Sequence, residues 1–267
     1  MNRAELLRWY VEMGVDEAIG EQPNDRFAPP APAAPRPLPK PPAMPSPLPR
    51  VAATVAPAAA AGSAAASARA LAEAAATVAA LAAAVAAFEG CALKRTATNT
   101  VFGDGVVGAP LLVIGEAPGA EEDRIGRPFV GRSGQLLDRM LAAIGHDRAR
   151  NAYITNVIYW RPPGNRKPTP EETGACAPFV WRLIALLAPR AVMLCGGTAT
   201  AALLDRQEGI TRLRGQWFDL AVPGLARPVP AIASYHPSFL LRAPARKGEA
   251  WRDVLAVQAR LEAAASG

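Results

Sequence analysis

Four carboxylic acids lie within eight residues of one another, directly after a short apolar run. The run is Leu111–Gly115, and the acids are Glu116, Glu121, Glu122 and Asp123. A buried strand that ends in a Gly/Pro loop holds its polar groups outside the carboxyl end of a parallel sheet, where α/β proteins keep their sites. Phe129 follows, shortly before a Gly-bounded turn at 131–134. We interpret the stretch as a functional site; the alternative is that the acids cap the start of a helix.

Two further strand ends carry polar residues. The apolar run Tyr153–Val157 contains Asn156 and leads into the basic loop 161–166, and the run Pro230–Ser234 leads to His236. Because the carboxyl ends of parallel strands meet at one edge of a sheet, these groups should come together there.

A nucleobase would use each of these groups. The amide of Asn156 offers a donor and an acceptor to a base edge, and the ring of Phe129 could stack on a base. His236 could donate a hydrogen bond to an oxygen that gains negative charge as a base departs. Leu240 and Leu241 could form an apolar wedge. The cations suited to phosphate are Arg132, Arg161, Arg166 and Arg242.

Each signal also has an ordinary structural explanation when taken alone. A His before Pro is typical of a capped turn, an Asn at a strand end is typical of a turn former, and RPPGNR is typical of a stiff basic loop. Only their joint placement at one sheet edge favours function.

The overall composition favours an anionic partner. The chain has 267 residues, 29 Lys+Arg against 23 Asp+Glu, a formal net charge of +6 and a pI of about 9.6, and nucleic acid is the commonest partner of a basic protein. Three cysteines are too few and too scattered for a secreted disulfide framework. We recognise no signal peptide and no membrane span, and therefore predict a cytoplasmic protein.

The pattern of apolar runs predicts an α/β fold. Helical segments separate four runs that are typical of core strands, so a parallel sheet between helices is expected. A segment at 207–224 could add a small antiparallel edge. The predicted strands are Leu111–Gly115, Tyr153–Val157, Ala191–Cys195 and Pro230–Ser234, and the predicted helices are 134–144, 170–187, 198–204 and 247–264.

Three regions differ in composition. Residues 1–20 predict an amphipathic helix. Residues 21–61 form a Pro/Ala-rich linker that is expected to be disordered, since 13 of the 27 prolines lie in 21–57. Residues 62–267 form the globular domain, onto which an Ala-rich helix at 62–88 is expected to pack. We hypothesise that the N-terminal helix docks on a partner protein.

The motifs, taken in order, resemble those of the family 4 uracil-DNA glycosylases, within the uracil-DNA glycosylase superfamily. The resemblance covers about residues 88–256. Its motifs are GEAPG at 115–119 with Glu122-Asp123, GRPFVG at 126–131, TNV at 155–157, RPPGNR at 161–166, and HPS at 236–238 followed by Leu240-Leu241-Arg242.

The resemblance implies a three-layer α/β/α sandwich around a four-stranded parallel sheet, and hydrolysis of the bond between uracil and deoxyribose in DNA. It implies that Phe129 stacks on a flipped uracil, that Asn156 reads its Watson–Crick edge and that His236 stabilises the departing anion through O2. Glu116, with the backbone of 115–119, would position water and favour the cationic sugar. The other uracil contacts would be Gly115, Ala117 and Glu122, the last helping to exclude a thymine methyl. The DNA contacts would be Arg132, Arg161, Asn165, Arg166, Ser238, Leu240, Leu241 and Arg242. The expected partner is uracil-containing DNA, bound by a monomer.

The cysteine pattern departs from this family. Its members typically hold a four-iron four-sulfur cluster on four cysteines, and here Cys91 and Cys176 match two of the positions. Phe88 and Trp160 occupy the other two, and two thiolates cannot hold such a cluster. We predict that the chain has no cluster and that Phe88 and Trp160 form a hydrophobic plug.

Other functions stay open at this point. The chain could be a glycosylase acting on a broader set of damaged bases, or a module that binds uracil or abasic DNA without turnover. An α/β nucleotide-binding protein unrelated to DNA is disfavoured, because GEAPG lacks the lysine of a P-loop.

Overall fold

The computed structural model describes residues 58–204, 206 and 208–265 of the chain. The helix predicted at 1–20 lies outside the described residues, as does the predicted linker apart from its last four residues, which belong to the first helix. The α-helices within the described part are α1 (Ala58–Ala74), α2 (Val78–Ala87), α3 (Ala120–Ile125), α4 (Arg132–Ala142), α5 (Pro170–Leu187), α6 (Gly197–Leu204), α7 (Ile210–Leu213), α8 (Pro237–Arg242) and α9 (Lys247–Ala265). The strands are β1 (Gly103–Gly105), β2 (Leu111–Gly115), β3 (Ala152–Asn156), β4 (Ala191–Cys195), β5 (Trp217–Leu220) and β6 (Val229–Ser234).

The strands form one sheet in the order β1-β3-β2-β4-β6-β5. The four central strands run parallel and correspond to the four apolar runs of the sequence, so the mixed α/β architecture is confirmed. The predicted strand number is wrong, because β1 and β5 extend the sheet at its two edges as antiparallel strands. Strand β5 lies in the segment where an edge excursion was expected, whereas β1 is only Gly-Asp-Gly and has no apolar pattern.

Helices cover both faces of the sheet. Leu112 and Ile114 of β2 pack into one apolar cluster with residues of α1, α2 and α5. Leu111 and Val113 of the same strand pack into a second cluster with residues of α4 and α9. This alternation along a fully buried strand produces the three layers, because successive strand residues point to opposite faces.

The register places the ends of the parallel strands side by side. Gly115 of β2 pairs with Asn156 of β3, and Cys195 of β4 pairs with Ser234 of β6. The residues that follow these four positions therefore emerge at one edge of the sheet.

The Ala-rich segment forms two helices rather than the single helix expected at 62–88. Thr77 caps the second of them by accepting a hydrogen bond from the amide of Ala80 at 3.1 Å. Arg182 of α5 donates from Nε and Nη2 to the carbonyl of Ala75, at 2.9 and 2.7 Å. Both contacts satisfy backbone groups left free at a helix end, so they stabilise the break. None of the described helices is both long and apolar enough to span a lipid bilayer.

Candidate active site

A cavity of about 1220 Å³ opens at the carboxyl edge of the sheet. Residues that end or follow all four parallel strands line it, namely Glu116, Asn156, Thr198 and His236. Of the other predicted site residues, the cavity brings together Ala117, Glu122, Phe129, Asn165, Arg166, Ser238 and Arg242. The remaining predicted residues do not line it: Gly115, Arg132, Arg161, Leu240 and Leu241.

Asn156, the last residue of β3, forms part of the cavity wall. The residue is 1% exposed, and its Oδ1 atom has no hydrogen-bond partner among the described residues. Gly115 lies against this amide, and a Cβ at position 115 would sit 2.4 Å from Oδ1. A buried carbonyl oxygen without a partner is costly, so this atom is suited to accept a hydrogen bond from a ligand.

Phe129 lies beside Asn156, on the other side of the space left by Gly115. A Cβ at position 115 would lie 2.5 Å from the ring atom Cζ of Phe129, so only glycine allows this approach. The backbone of Phe129 has φ = 53°, which is unusual for an aromatic residue. Gly134 allows the tight turn that follows, since a Cβ there would lie 1.8 Å from the carbonyl oxygen of Phe129.

Arg148 holds the Phe129 loop in this conformation. Its Nη1 donates to the carbonyl of Pro128 at 2.9 Å, and its Nη2 donates to the carbonyl of Phe129 at 3.0 Å. The guanidinium is also paired with Asp104 at 2.9 Å and Asp138 at 2.7 Å. These four contacts satisfy a largely buried cation and offset part of the cost of the strained loop.

Glu122 connects the GEAPG loop to the Phe129 loop. Its Oε1 accepts hydrogen bonds from the amides of Val130 and Gly131 at 3.0 and 2.9 Å, and its Oε2 accepts one from Gly119 at 3.1 Å. Both carboxylate oxygens are thus bound to backbone amides, which favours a loop-positioning role over the expected exclusion of a thymine methyl.

Two of the other neighbouring acids, Asp123 and Glu121, also bind groups of the protein outside the cavity. Asp123 accepts hydrogen bonds from the amides of Thr98 and Asn99 at 2.8 and 3.0 Å, and Glu121 forms a surface ion pair with Arg124. The helix-cap interpretation thus describes the acids in the first turn of α3. Glu116 lies before this helix and lines the cavity, and its carboxylate bonds to no backbone amide of the described residues.

The Glu116 carboxylate has a partner that the sequence analysis missed. The hydroxyl of Thr198 donates a hydrogen bond to its Oε2. Thr198 lies in the first turn of α6, directly after the Gly196-Gly197 pair that follows β4. The signal in the sequence was a polar residue shortly after the end of a predicted strand, as at the other three strand ends.

His236 precedes α8 and caps it. Its Nδ1 accepts a hydrogen bond from the Ser238 amide at 3.1 Å and lies 2.8 Å from the Ser238 hydroxyl oxygen. An Nδ1 that accepts from an amide carries no proton, so in the neutral ring the proton resides on Nε2. Burial lowers the pKa of His236 to about 4; the positive charge of Arg242 acts in the same direction, and the Glu122 carboxylate opposes it. The ring is therefore neutral at pH 7 and carries an N–H donor.

The imidazole and the Phe129 ring are neighbours. Their centroids lie 5.4 Å apart with an angle of 28° between the planes. Gly196, at φ = 95°, lies behind the imidazole, and a Cβ at this position would be 3.0 Å from the Cβ of His236. Two flat rings and the Asn156 amide thus line the same cavity.

The predicted DNA-contacting groups differ in their availability. Arg132 and Arg242 are exposed, whereas Arg166 is paired with both oxygens of Glu172 at 2.9 and 2.6 Å. Arg161 donates from Nε to Asn165 Oδ1 at 2.8 Å, which braces the basic loop internally. The Ser238 hydroxyl contacts His236, as described above.

The burial of Leu240 contradicts its predicted place in the apolar wedge. The residue is 1% exposed and packs in a cluster with Tyr235 and Ala250, because it lies on the inner side of α8. Leu241 and Arg242 follow on the more open side of the helix, so the wedge can include Leu241 but not Leu240 in this conformation.

The four positions that match cluster ligands lie together in one apolar cluster. Phe88, Cys91, Trp160 and Cys176 are each at most 2% exposed. The ring of Phe88 contacts Phe179 edge-on at 5.1 Å, and Trp160 donates from Nε1 to another side chain, the Thr100 hydroxyl, at 3.0 Å.

Two thiols and two aromatic rings do not fit a cluster that needs four ligands. The two thiols interact with each other: the pKa of Cys176 is raised well above its usual range by its hydrogen bond with Cys91 and by burial. In the part of the chain that the structure describes, no group of three or more His, Cys, Asp or Glu residues is placed to hold a metal ion.

Comparison with known proteins identifies the family. The family model described as the uracil DNA glycosylase superfamily matches residues 102–255. A type-4 uracil-DNA glycosylase of Pyrobaculum aerophilum is 38% identical over 168 residues, which cover 61% of this chain and 84% of the relative. The type-4 enzyme of Thermotoga maritima is 41% identical over 153 residues, which cover 57% of this chain and 77% of the relative. That of Archaeoglobus fulgidus is 39% identical over 163 residues, covering 60% and 80%. The chain belongs to the uracil-DNA glycosylase superfamily, with type-4 enzymes as its relatives, and the resemblance seen in the motifs is confirmed.

Proposed function

We propose that this protein is a DNA repair enzyme that releases uracil from DNA by hydrolysing the bond between the base and deoxyribose, leaving an abasic site. The observation that carries the proposal is the buried, unpartnered Oδ1 of Asn156 in a cavity that Phe129 and His236 also line. Membership of the glycosylase superfamily supports it independently.

The amide of Asn156 suits the edge of uracil. Oδ1 accepts the N3–H of the base and Nδ2 donates to O4, which is the donor–acceptor order that uracil presents. Cytosine has an unprotonated N3 and an amino group at C4. In the same position it would place an acceptor against Oδ1 and a donor against Nδ2, so neither hydrogen bond could form. The ring of Phe129 provides the stacking face. A base enters such a pocket only after it is flipped out of the duplex, and a mispaired uracil is the least costly to flip.

His236 and Glu116 carry the chemistry in this scheme. The C1′–N1 bond breaks with its electron pair going to N1, so negative charge develops on uracil O2 and positive charge on the sugar. The neutral His236 donates its Nε2–H to O2 without first taking up a proton. The Glu116 carboxylate stabilises the sugar cation and orients the water whose oxygen bonds to C1′. The proton released by that water balances the charge on the departing uracil.

Exposed groups beside the cavity bind the DNA. Arg132 and Arg242 are free to contact phosphates, and Leu241 takes the space left by the flipped base. We also propose that the protein is a cytoplasmic monomer and that residues 1–20, which lie outside the described residues, dock on a repair or replication protein.

We propose further that the enzyme works without an iron–sulfur cluster. Phe88 and Trp160 fill the two positions that lack cysteine and pack in the apolar cluster with Cys91 and Cys176. Iron and acid-labile sulfide measured on protein purified anaerobically should be far below one cluster per chain. Four irons and four sulfides per chain would contradict this part of the proposal.

The activity is tested on a uracil-containing oligonucleotide by counting alkali-labile strand breaks. The wild-type protein should release uracil, and Asn156→Ala and His236→Ala should each lower the rate by on the order of 10² or more. The matched control is His146→Ala, since His146 is the other of the two histidines and does not line the cavity. Binding of the oligonucleotide without release of uracil would indicate a binding module instead of an enzyme.

A further inference from the structure

Thr198 is the one side chain in the described part of the chain that hydrogen-bonds the Glu116 carboxylate. The two residues come from different strand ends, 82 positions apart in sequence, and both line the cavity. The bond runs from the Thr198 hydroxyl to Oε2, so Oε1 has no hydrogen-bond partner among the described residues.

The backbone around Thr198 is well fixed. Gly196 turns the chain at φ = 95° between β4 and α6, a conformation that glycine favours. Its carbonyl accepts hydrogen bonds from the amide and the hydroxyl of Thr200, at 3.1 and 2.9 Å. Thr198 is β-branched, so few χ1 rotamers are open to it and its hydroxyl direction is restricted.

The Glu116 side chain needs such a restraint. The terminal torsion of a glutamate is soft, so an unrestrained carboxylate samples many orientations. A fixed hydroxyl at Oε2 limits this rotation and holds the plane of the carboxylate. A hydrogen bond to a charged group is also stronger than one between neutral groups.

We propose that Thr198 is a positioning residue for uracil excision, which acts by holding Oε2 of Glu116 so that Oε1 meets the attacking water. The inference rests on the proposed function and deepens it. Residues at the ends of β2, β3 and β6 contact the substrate or the water in this scheme, and the inference gives a role to a residue that follows β4. Thr198 itself contacts neither water nor uracil in this scheme.

The test is a double-mutant cycle measured by single-turnover release of uracil. Thr198→Val keeps the shape of the side chain and removes the hydroxyl, so the rate should fall roughly tenfold or more. Thr198→Ser keeps the hydroxyl and should retain most of the rate. In a Glu116→Ala background, Thr198→Val should change the rate by less than about twofold, because the bond is already absent.

DNA affinity separates positioning from folding and binding effects. An oligonucleotide carrying 2′-fluoro-2′-deoxyuridine, whose sugar–base bond resists hydrolysis, should bind wild type and Thr198→Val equally within about twofold. The proposal is overturned if Thr198→Val keeps the wild-type rate, if it loses rate equally in both backgrounds, or if the loss lies entirely in DNA affinity. A wild-type protein that releases no uracil overturns the proposed function as well, so the two failures differ in the wild-type measurement.

Discussion

The Nη2 atom of Arg148 lies 3.0 Å from the carbonyl oxygen of Phe129, a residue whose φ of 53° needs outside support. Arg148→Lys keeps the charge but loses the fork that reaches two carbonyls and two carboxylates at once. We expect about a tenfold slower single-turnover release of uracil, because the stacking ring is no longer held in place.

Arg150→Lys is the matched control for this change. Arg150 is a surface residue with an exposed ion pair to Asp147, and it should tolerate lysine without loss of rate. Equal effects of the two substitutions would mean that Arg148 does not hold the Phe129 loop.

Gly115→Ala should abolish most of the activity. The added Cβ would lie 2.4 Å from Asn156 Oδ1 and 2.5 Å from the Phe129 ring, so the two groups that recognise the base must move apart. We expect a loss on the order of 10² in kcat/KM, with little loss of affinity for DNA that lacks uracil. Gly248→Ala in α9 has open space around its Cβ and is the control that should keep full activity.

The titration of His236 gives a test by NMR. Its pKa of about 4 in the folded protein lies below the ordinary value of 6.5, because burial disfavours the charged ring. Between these two values the unfolded chain binds a proton that the folded chain does not, so the free energy of unfolding should fall as the pH drops from about 6.5 to 4.

The rate of uracil release should show no His236 titration between pH 5 and 8, and should fall only as the pH approaches 4. Nitrogen chemical shifts should report a neutral ring with the proton on Nε2 at pH 7. The second histidine is distinguished by recording the spectrum of His146→Gln. A His236 that titrates near 6.5, or that carries its proton on Nδ1, would contradict the proposed donor.

Asp253→Ala should destabilise the fold. Asp253 of α9 is 1% exposed, forms an ion pair with Arg214 and accepts a hydrogen bond from the Ser234 hydroxyl at 2.8 Å. Removing the carboxylate leaves the buried Ser234 hydroxyl without its acceptor and takes one of two carboxylates from Arg214, which keeps its contacts with Glu249. We expect a loss of about 1–3 kcal/mol. Denaturant unfolding at pH 7 measures the loss.

The exposed Asp219 on β5 provides the comparison, since Asp219→Ala should change the free energy of unfolding by less than about 0.5 kcal/mol. A similar small change for Asp253→Ala would show that the ion pair is not needed for stability.

The sequence predicts the central part of the fold because that part depends on local apolar pattern. Every residue of β2, β3 and β4 is buried, and such strands read as continuous apolar runs. Strand β1 could not be found in this way, because Gly103–Gly105 is a strand only through its pairing with β3. The break after α1 depends similarly on Arg182, which is remote in sequence.

The site residues show the same division. Their types and their places at strand ends were visible in the sequence, but their partners were not. The three backbone amides that bind the Glu122 carboxylate belong to two loops, and their approach depends on the fold. Leu240 and Leu241 point in different directions from α8, and only Leu240 lies in the core. Thr198 was missed because a threonine after two glycines is also typical of the start of an ordinary helix.

The register that aligns the four strand ends also ties the site to the folding of the whole sheet. The groups at positions 115, 156, 198 and 236 are brought together by contacts between segments far apart in sequence, so no short fragment contains the site. Such long-range pairing forms late and slowly compared with local helices. A partly folded intermediate would have its helices but no pocket, and the protein should therefore gain activity only in the last, cooperative step of refolding.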